Sequence, residues 1–202
     1  MTINLEHGNI ALRLWFMIHR THELLRTCED KIFGEYKLTT EHYAVLATIR
    51  YLESTAGAGN VRPTDVARWL GRSTNSVSMI VDRMVKVGLL RRVRDRADRR
   101  VVFLIITDKG EEALKPATLS GWDFIQKILS PVSQEDRQTL IKLLETLQYE
   151  ASRYLNPKVD IEQIRKIEAK SYDNLMQRLV QHIPLSALEA KRQGSRQRKT
   201  IQ

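Results

Sequence analysis

The sequence predicts a mainly α-helical chain with one small β-hairpin wing, on three observations. Apolar residues recur at helical spacing on both sides of the centre, at Val45, Leu46, Ile49 and Leu52 and again at Leu140, Leu143, Leu144 and Leu147. Gly71-Arg72 and Gly88 punctuate two short helical stretches between them. A β-prone run, Val101 to Ile106, follows the apolar–basic run Leu89 to Arg94 across the polar tip Asp95-Arg96-Ala97-Asp98-Arg99-Arg100. Two helices, a tight turn and a hairpin between Arg62 and Gly110 make a winged helix-turn-helix, flanked by N- and C-terminal helices suited to dimerisation.

The elements follow in order. A first helix is expected from about Asn9 to Ile32. Ile10, Leu12, Leu14, Trp15, Phe16, Met17 and Ile18 surround much of it, so it needs cover from its own core and from a second subunit. Thr39 or Thr40 caps a second helix. Ser54–Asn60, with two glycines and nothing apolar larger than Ala, reads as a loop. Pro63 suits the first position of a third helix, where its missing N–H costs nothing. Ser73 opens a fourth helix running to Lys86, with Val77, Ile80, Val81 and Met84 as its buried face. After the hairpin, Thr107 caps a further helix, which Ser130-Pro131 breaks, and Ser133 with Asp136 starts another. Asn156-Pro157 stops that one, and Asp160 with Gln163 begins a last helix carrying Ile161, Ile164, Tyr172, Leu175, Leu179 and Ile183 on one face. The expected organisation is an N-terminal dimerisation helix (1–37), a winged helix-turn-helix domain (38–114), C-terminal dimerisation helices (115–156), an additional helix (157–184) and a basic flexible tail (185–202).

The chain has 202 residues and a formal net charge of +9, unevenly spread. Between Arg62 and Gly110 stand twelve basic residues against five Asp and no Glu. Lys191, Arg192, Arg196, Arg198 and Lys199 add five more without an acid. A polyanion partner explains that asymmetry better than solubility does. Cys28 is the only cysteine, so no intramolecular disulfide can form and a cytoplasmic setting is expected. The apolar stretch Ile10–Ile18 is short and interrupted by Arg13, so neither a signal peptide nor a membrane span is expected. No Gly-rich phosphate loop, Ser/His/Asp set or pair of carboxylates at catalytic spacing marks an enzyme, and no cofactor is expected.

An ordered set of residues resembles the multiple-antibiotic-resistance regulator (MarR) family of bacterial and archaeal transcription factors. It comprises Leu38-Thr39, Val45-Leu46, Val66-Ala67, Leu70-Gly71, Ser73, Val77-Ser78, Val81-Asp82-Arg83-Met84, Gly88-Leu89, Asp95-x-x-Asp98-Arg99-Arg100 and Thr107-x-x-Gly110. The resemblance is close from about Leu38 to Leu114 and looser outside. It implies an obligate homodimer, triangular in outline, whose two winged lobes read a pseudo-palindromic site on double-stranded DNA. Most members repress, and many release DNA on binding a small phenolic or other anionic compound, a metal or an oxidant.

The helix from Ser73 is the expected major-groove reader. Ser73, Thr74, Asn75, Ser76 and Ser78 are short hydrogen-bonders that reach base edges or phosphates, the alternative being a simple capping cluster. Met79 departs from the family, which often places Arg there; a thioether reads by shape and by contact with thymine methyls. Arg96, Arg99 and Arg100 are the wing residues expected in a minor groove, with Asp95 and Asp98 holding them by charge-assisted hydrogen bonds. The family uses one arginine of the Asp-Arg-Arg run in the groove and the other structurally, which leaves Arg99 and Arg100 unassigned between the two roles. Arg62, Arg68, Arg72, Arg91, Arg92 and Arg94 are candidates for phosphate contacts, with plain surface as the alternative for each. Arg62 stands where the family usually has a Thr or Ser cap.

The sensor candidates are weaker. Trp15, Phe16, His19 and Tyr43 stand where the family's effector cleft lies, although aromatic residues there also serve as core. Cys28 precedes Glu29-Asp30, which disfavours a thiolate, so an inert core cysteine is expected. His19 and His22 share a helical face but lack a convincing further ligand, so no metal site is expected. The rival to a DNA-binding repressor is a winged-helix module that binds a protein partner and has lost DNA contact.

Overall fold

The computed structural model describes residues 5–158, 160–162 and 165. The chain divides into two units, Met1–Gly121 and Trp122–Gln202. The first holds α1 (Leu5–Gly34), α2 (Thr40–Ala56), α3 (Pro63–Trp69), α4 (Thr74–Lys86), the strands β1 (Leu90–Arg94) and β2 (Val102–Ile106), and α5 (Asp108–Leu129) through Gly121. Its core is one cluster to which every element contributes: Phe33 from α1, Val45, Leu46 and Ile49 from α2, Val66 and Ala67 from α3, Val77, Ile80, Val81 and Met84 from α4, Leu90 and Leu104 from the hairpin, and Leu114 and Ala117 from α5. The four α4 residues are the face that its periodicity predicts. Side chains as deeply covered as Leu46, Ile49 and Met84 contribute about 1.5–3 kcal/mol each.

Local chemistry sets the boundaries. Thr39 caps α2, its Oγ1 accepting from His42 N at 3.1 Å. The loop expected from Ser54 begins later: nothing in Ser54-Thr55-Ala56 forbids a helix, and α2 continues until Gly57, whose N–H donates to Glu53 O at 3.0 Å. Likewise α1 extends beyond both expected ends, running through Gly8 and stopping only at Gly34. Gly71 turns α3 into α4 with φ +60°, a conformation that costs glycine little, and Arg72 N closes the turn on Ala67 O at 3.0 Å. Ser73 accepts from Ser76 N at 3.2 Å, and Ser73→Ala is expected to destabilise the unit by about 1 kcal/mol in chemical denaturation.

The wing is an antiparallel pair with Leu90 opposite Ile106, Arg92 opposite Leu104 and Arg94 opposite Val102. Val61, just before α3, adds a bridge on its far edge, Leu104 N donating to Val61 O at 2.8 Å. Thr107 then caps α5, accepting from Gly110 N at 3.1 Å while its hydroxyl donates to Gly88 O at 2.6 Å.

In the second unit Arg137 closes the Ser130-Pro131 break by donating to Val132 O at 2.9 Å and Leu129 O at 2.5 Å. Ser133 caps α6 (Gln134–Leu155), accepting from Asp136 N at 3.1 Å. The predicted seam of α6 is not packed within this chain among the described residues. Leu140, Leu143, Leu144 and Leu147 stay exposed, and Tyr154 keeps 89% of its surface. Ile161 and Glu162 are helical where the last helix was expected to begin; nearly all of that helix and the whole basic tail lie outside the described residues. No described helix is long and apolar enough to cross a membrane.

Candidate nucleic-acid interface

The site begins at the first turn of α4. Thr74, Asn75 and Ser76 are exposed there and Ser78 is half-buried. Ser73 spends its oxygen on the cap, whereas the other four have no side-chain hydrogen bond among the described residues. No acidic residue sits in that turn, so the positive end of the helix is unopposed. Met79, 65% exposed, continues the same surface as an apolar patch.

The wing tip is organised by its two aspartates, and here the expectation needs correction. They do not hold the arginine side chains. Asp95 Oδ1 accepts from Ala97 N at 2.6 Å and Asp98 N at 2.9 Å, and Asp98 Oδ1 accepts from Arg100 N at 2.9 Å. Asp95 N donates to Val101 O at 3.0 Å and closes the loop. Short carboxylates satisfy nearby backbone N–H groups in a turn more readily than they capture long, solvated guanidinium groups. The result is a hydrogen-bonded turn from which Arg96, Arg99 and Arg100 project exposed, without an ion pair among the described residues.

The proposed phosphate contacts separate into two groups. Arg62 pairs with Asp65 at 3.3 Å and Arg68 with the same carboxylate at 3.8 Å. Asp65 also accepts from Arg62 N at 3.1 Å, so Arg62 starts α3 through its backbone while its side chain pairs with the same carboxylate. Arg92 is paired with Asp82, which ties β1 to α4. Arg72, Arg91 and Arg94 are exposed and unpaired among the described residues. Alternation along β1 puts Arg91 on the face opposite Arg92 and Arg94, so the three do not form one row.

Of the four effector candidates, Tyr43 packs on the core and the other three lie on the surface of α1. Tyr43 stacks on Phe33 at 4.1 Å between ring centroids, and burial raises its pKa above the usual phenol value. Trp15, Phe16 and His19 are exposed on α1, with Trp15 against His19 at 4.6 Å. The first unit does contain a cavity of about 410 Å3, but none of those four residues lines it; Thr39, Glu41, His42, Arg83, Lys86 and Val87 do. Cys28 is exposed rather than in the core, because it falls on the outer side of α1. Among the described residues no group of three or more His, Cys, Asp or Glu side chains is placed to hold a metal.

Sequence reasoning missed Asp82 as the partner of Arg92, and Lys109, whose Nζ donates to Val87 O at 2.7 Å at the end of α4. It also missed the cluster of His42, Arg83 and Lys86. These pairings join residues from different elements, and no local pattern announces them.

An exposed helix start and an arginine-tipped hairpin on one core shared by five helices define a winged helix-turn-helix. The MarR family's sequence profile matches residues 37–101. The transcriptional regulator MgrA of Staphylococcus aureus is 32% identical over 140 residues, covering 69% of this chain and 90% of its own. The chain belongs to the MarR family of transcriptional regulators. Two solved structures share the fold. A cysteine-to-serine mutant of MarR from E. coli, complexed with operator DNA, has a TM-score of 0.60 at 21% identity and covers 69% of this chain and 96% of its own. An organohalide-sensing transcriptional regulator bound to 2,4-dichlorophenol reaches 0.65 at 24% identity, covering 78% and 86%.

Proposed function

We propose that this regulator binds a pseudo-palindromic operator on double-stranded DNA as a homodimer and represses its own or a neighbouring operon. The observation that carries this reading is the tip of the wing, where Arg96, Arg99 and Arg100 project unpaired from a turn braced by Asp95 and Asp98. Arginine on such a hairpin suits a narrow minor groove, while Thr74, Asn75 and Ser76 enter the adjacent major groove with Met79 against thymine methyls. Arg72, Arg91 and Arg94 are the contacts proposed for the phosphates, and Arg92 serves through its tie to Asp82.

Two copies are needed because α1 and α6 each leave apolar side chains in water. On α1, Ile10 keeps 70% and Phe16 63% of their surfaces. Burial of such patches against a second copy is the ordinary way a soluble chain covers them. A small-molecule ligand is proposed to release the DNA, as 2,4-dichlorophenol is bound by a protein of the same fold. Trp15, Phe16 and His19 are the lining proposed for it, completed by the second copy.

The test is fluorescence anisotropy on the region upstream of its own operon, with sedimentation to read the assembly. With six to ten phosphates neutralised per dimer, affinity is expected to fall roughly 10³–10⁵-fold between 50 and 200 mM salt. A shallow salt dependence, or a monomer at micromolar concentration, would overturn the reading.

A further inference from the structure

The end of α2, the loop after it and the start of α5 meet at one guanidinium. Arg50 Nη1 lies 3.5 Å from Glu53 Oε2, one turn on in the same helix, and Arg50 Nη2 donates to Glu111 Oε1 in the first turn of α5. Arg50 keeps 24% of its side-chain surface and Glu53 13%, too little for a loose surface pair. The other oxygen of Glu53 accepts from Gly59 N at 3.3 Å, and its backbone O accepts from Gly57 N at 3.0 Å. The loop held in this way lies against β2. A Cβ at Gly59 would stand 3.1 Å from Ile105 Cδ1, and Val61 O accepts from Leu104 N at 2.8 Å. Glu111 is tied to the end of the same strand, its N–H donating at 2.9 Å to the O of Thr107, one residue beyond β2. Arg50 therefore grips β2 twice, through the loop on its edge and through the helix that follows it.

Leu90, Leu104 and Ile106 anchor the base of the wing in the core. Apolar contact is not directional, so it holds that base without setting the angle at which the hairpin leaves it. Hydrogen bonds and ion pairs do set direction, and along the β2 edge they lead back to Arg50. We propose, on the reading of the wing as a DNA contact, that Arg50 is a positioning residue: its guanidinium, shared between Glu53 and Glu111, sets the direction of the wing, and so the place of Arg96, Arg99 and Arg100, without touching the duplex. A planar fork serves two carboxylates at once in a fixed geometry, which the point charge of an ammonium does not. The sign of the effect separates this role from plain electrostatics. An acid near a polyanion ordinarily weakens binding, and its removal strengthens it. Removal of the Glu111 carboxylate loosens the wing instead, and binding weakens.

Two measurements on the full chain test this role, and the first needs no DNA. Amide hydrogen exchange at Gly59 and Leu104 is expected to quicken about tenfold in Arg50→Met and by less in Glu111→Gln, while Val77 in α4 exchanges as in the parent. The second is fluorescence anisotropy on a duplex from the region upstream of its own operon. Arg50→Met is expected to bind about tenfold more weakly and Glu111→Gln about threefold, with Arg50→Lys between the parent and Arg50→Met. The salt slope should match the parent's, because no phosphate contact is lost. In the background of Arg99→Ala with Arg100→Ala, Glu111→Gln is expected to cost nothing further, since the wing no longer has a charge to place. Tighter binding by Glu111→Gln, a flatter salt slope in Arg50→Met, an equal loss in the wing-deficient background, or exchange that does not change would each overturn the proposal. A parent that binds no duplex would overturn the DNA reading instead, and the exchange rates would still decide whether Arg50 holds the wing.

Discussion

Replacing Arg99 and Arg100 together by alanine is expected to lower operator affinity by on the order of 10²–10³-fold, since in the proposed dimer four cations leave the DNA interface at once. The salt dependence should flatten with it, the slope of log K against log[salt] falling by about 1 for each phosphate that is no longer neutralised. The effect is separable from misfolding. The turn is held by Asp95 and Asp98 through backbone N–H groups, and neither guanidinium takes part in that bracing. Circular dichroism and the thermal midpoint are therefore expected to match the parent. Titrating parent and variant across a salt series checks both numbers. Equal affinities at low salt would move the function away from DNA and toward a protein partner.

Gly110→Ala is expected to destabilise the first unit by about 3 kcal/mol, the upper part of the range for overpacking. A Cβ there would lie 2.4 Å from Leu89 O and 2.7 Å from Ile106 Cγ2. The obstruction is backbone, which cannot rotate away as a flexible side chain can. Leu89 also receives Thr107 N at 3.2 Å and itself donates to Met84 O at 2.9 Å, so the strain reaches the end of α4 and the base of the wing together. Gly34→Ala is the control. Nothing lies within 4 Å of a Cβ at that helical position, so a neutral change or a gain of about 0.5 kcal/mol is expected. Urea denaturation of both variants decides it, and equal midpoints would show that α5 can retreat from the wing at no cost.

Much of this protein is legible from its residues because the signals are local. Thr39, Ser73, Thr107 and Ser133 cap the helices their positions predict, each through a hydrogen bond three residues away. Val77, Ile80, Val81 and Met84 form the inner face of α4 because a helical repeat allows no other. The loop after α2 starts later than composition suggests. Composition marks where a helix tends to weaken, whereas the stop itself comes at Gly57.

Long-range partners are a different matter. Asp95 and Asp98 resemble counter-ions for arginine, yet the backbone of their own turn claims them. Six arginines are alike as phosphate candidates until Asp65 and Asp82 set Arg62, Arg68 and Arg92 apart. Tyr43 is available to a ligand by position alone, but Phe33 stacks on it.

Taken alone, then, the order of amino acids settled which segments coil, where the capped helices start, which face of α4 turns inward and where positive charge gathers. Each of those depends on neighbours a few positions apart, whose geometry the backbone repeat dictates. Folding in space settled which charges are spent and which are left over, because an ion pair or a cavity depends on distances set by packing between elements. Arg83 and Lys86 stand beside His42 for that reason, and Gly110 can be nothing larger.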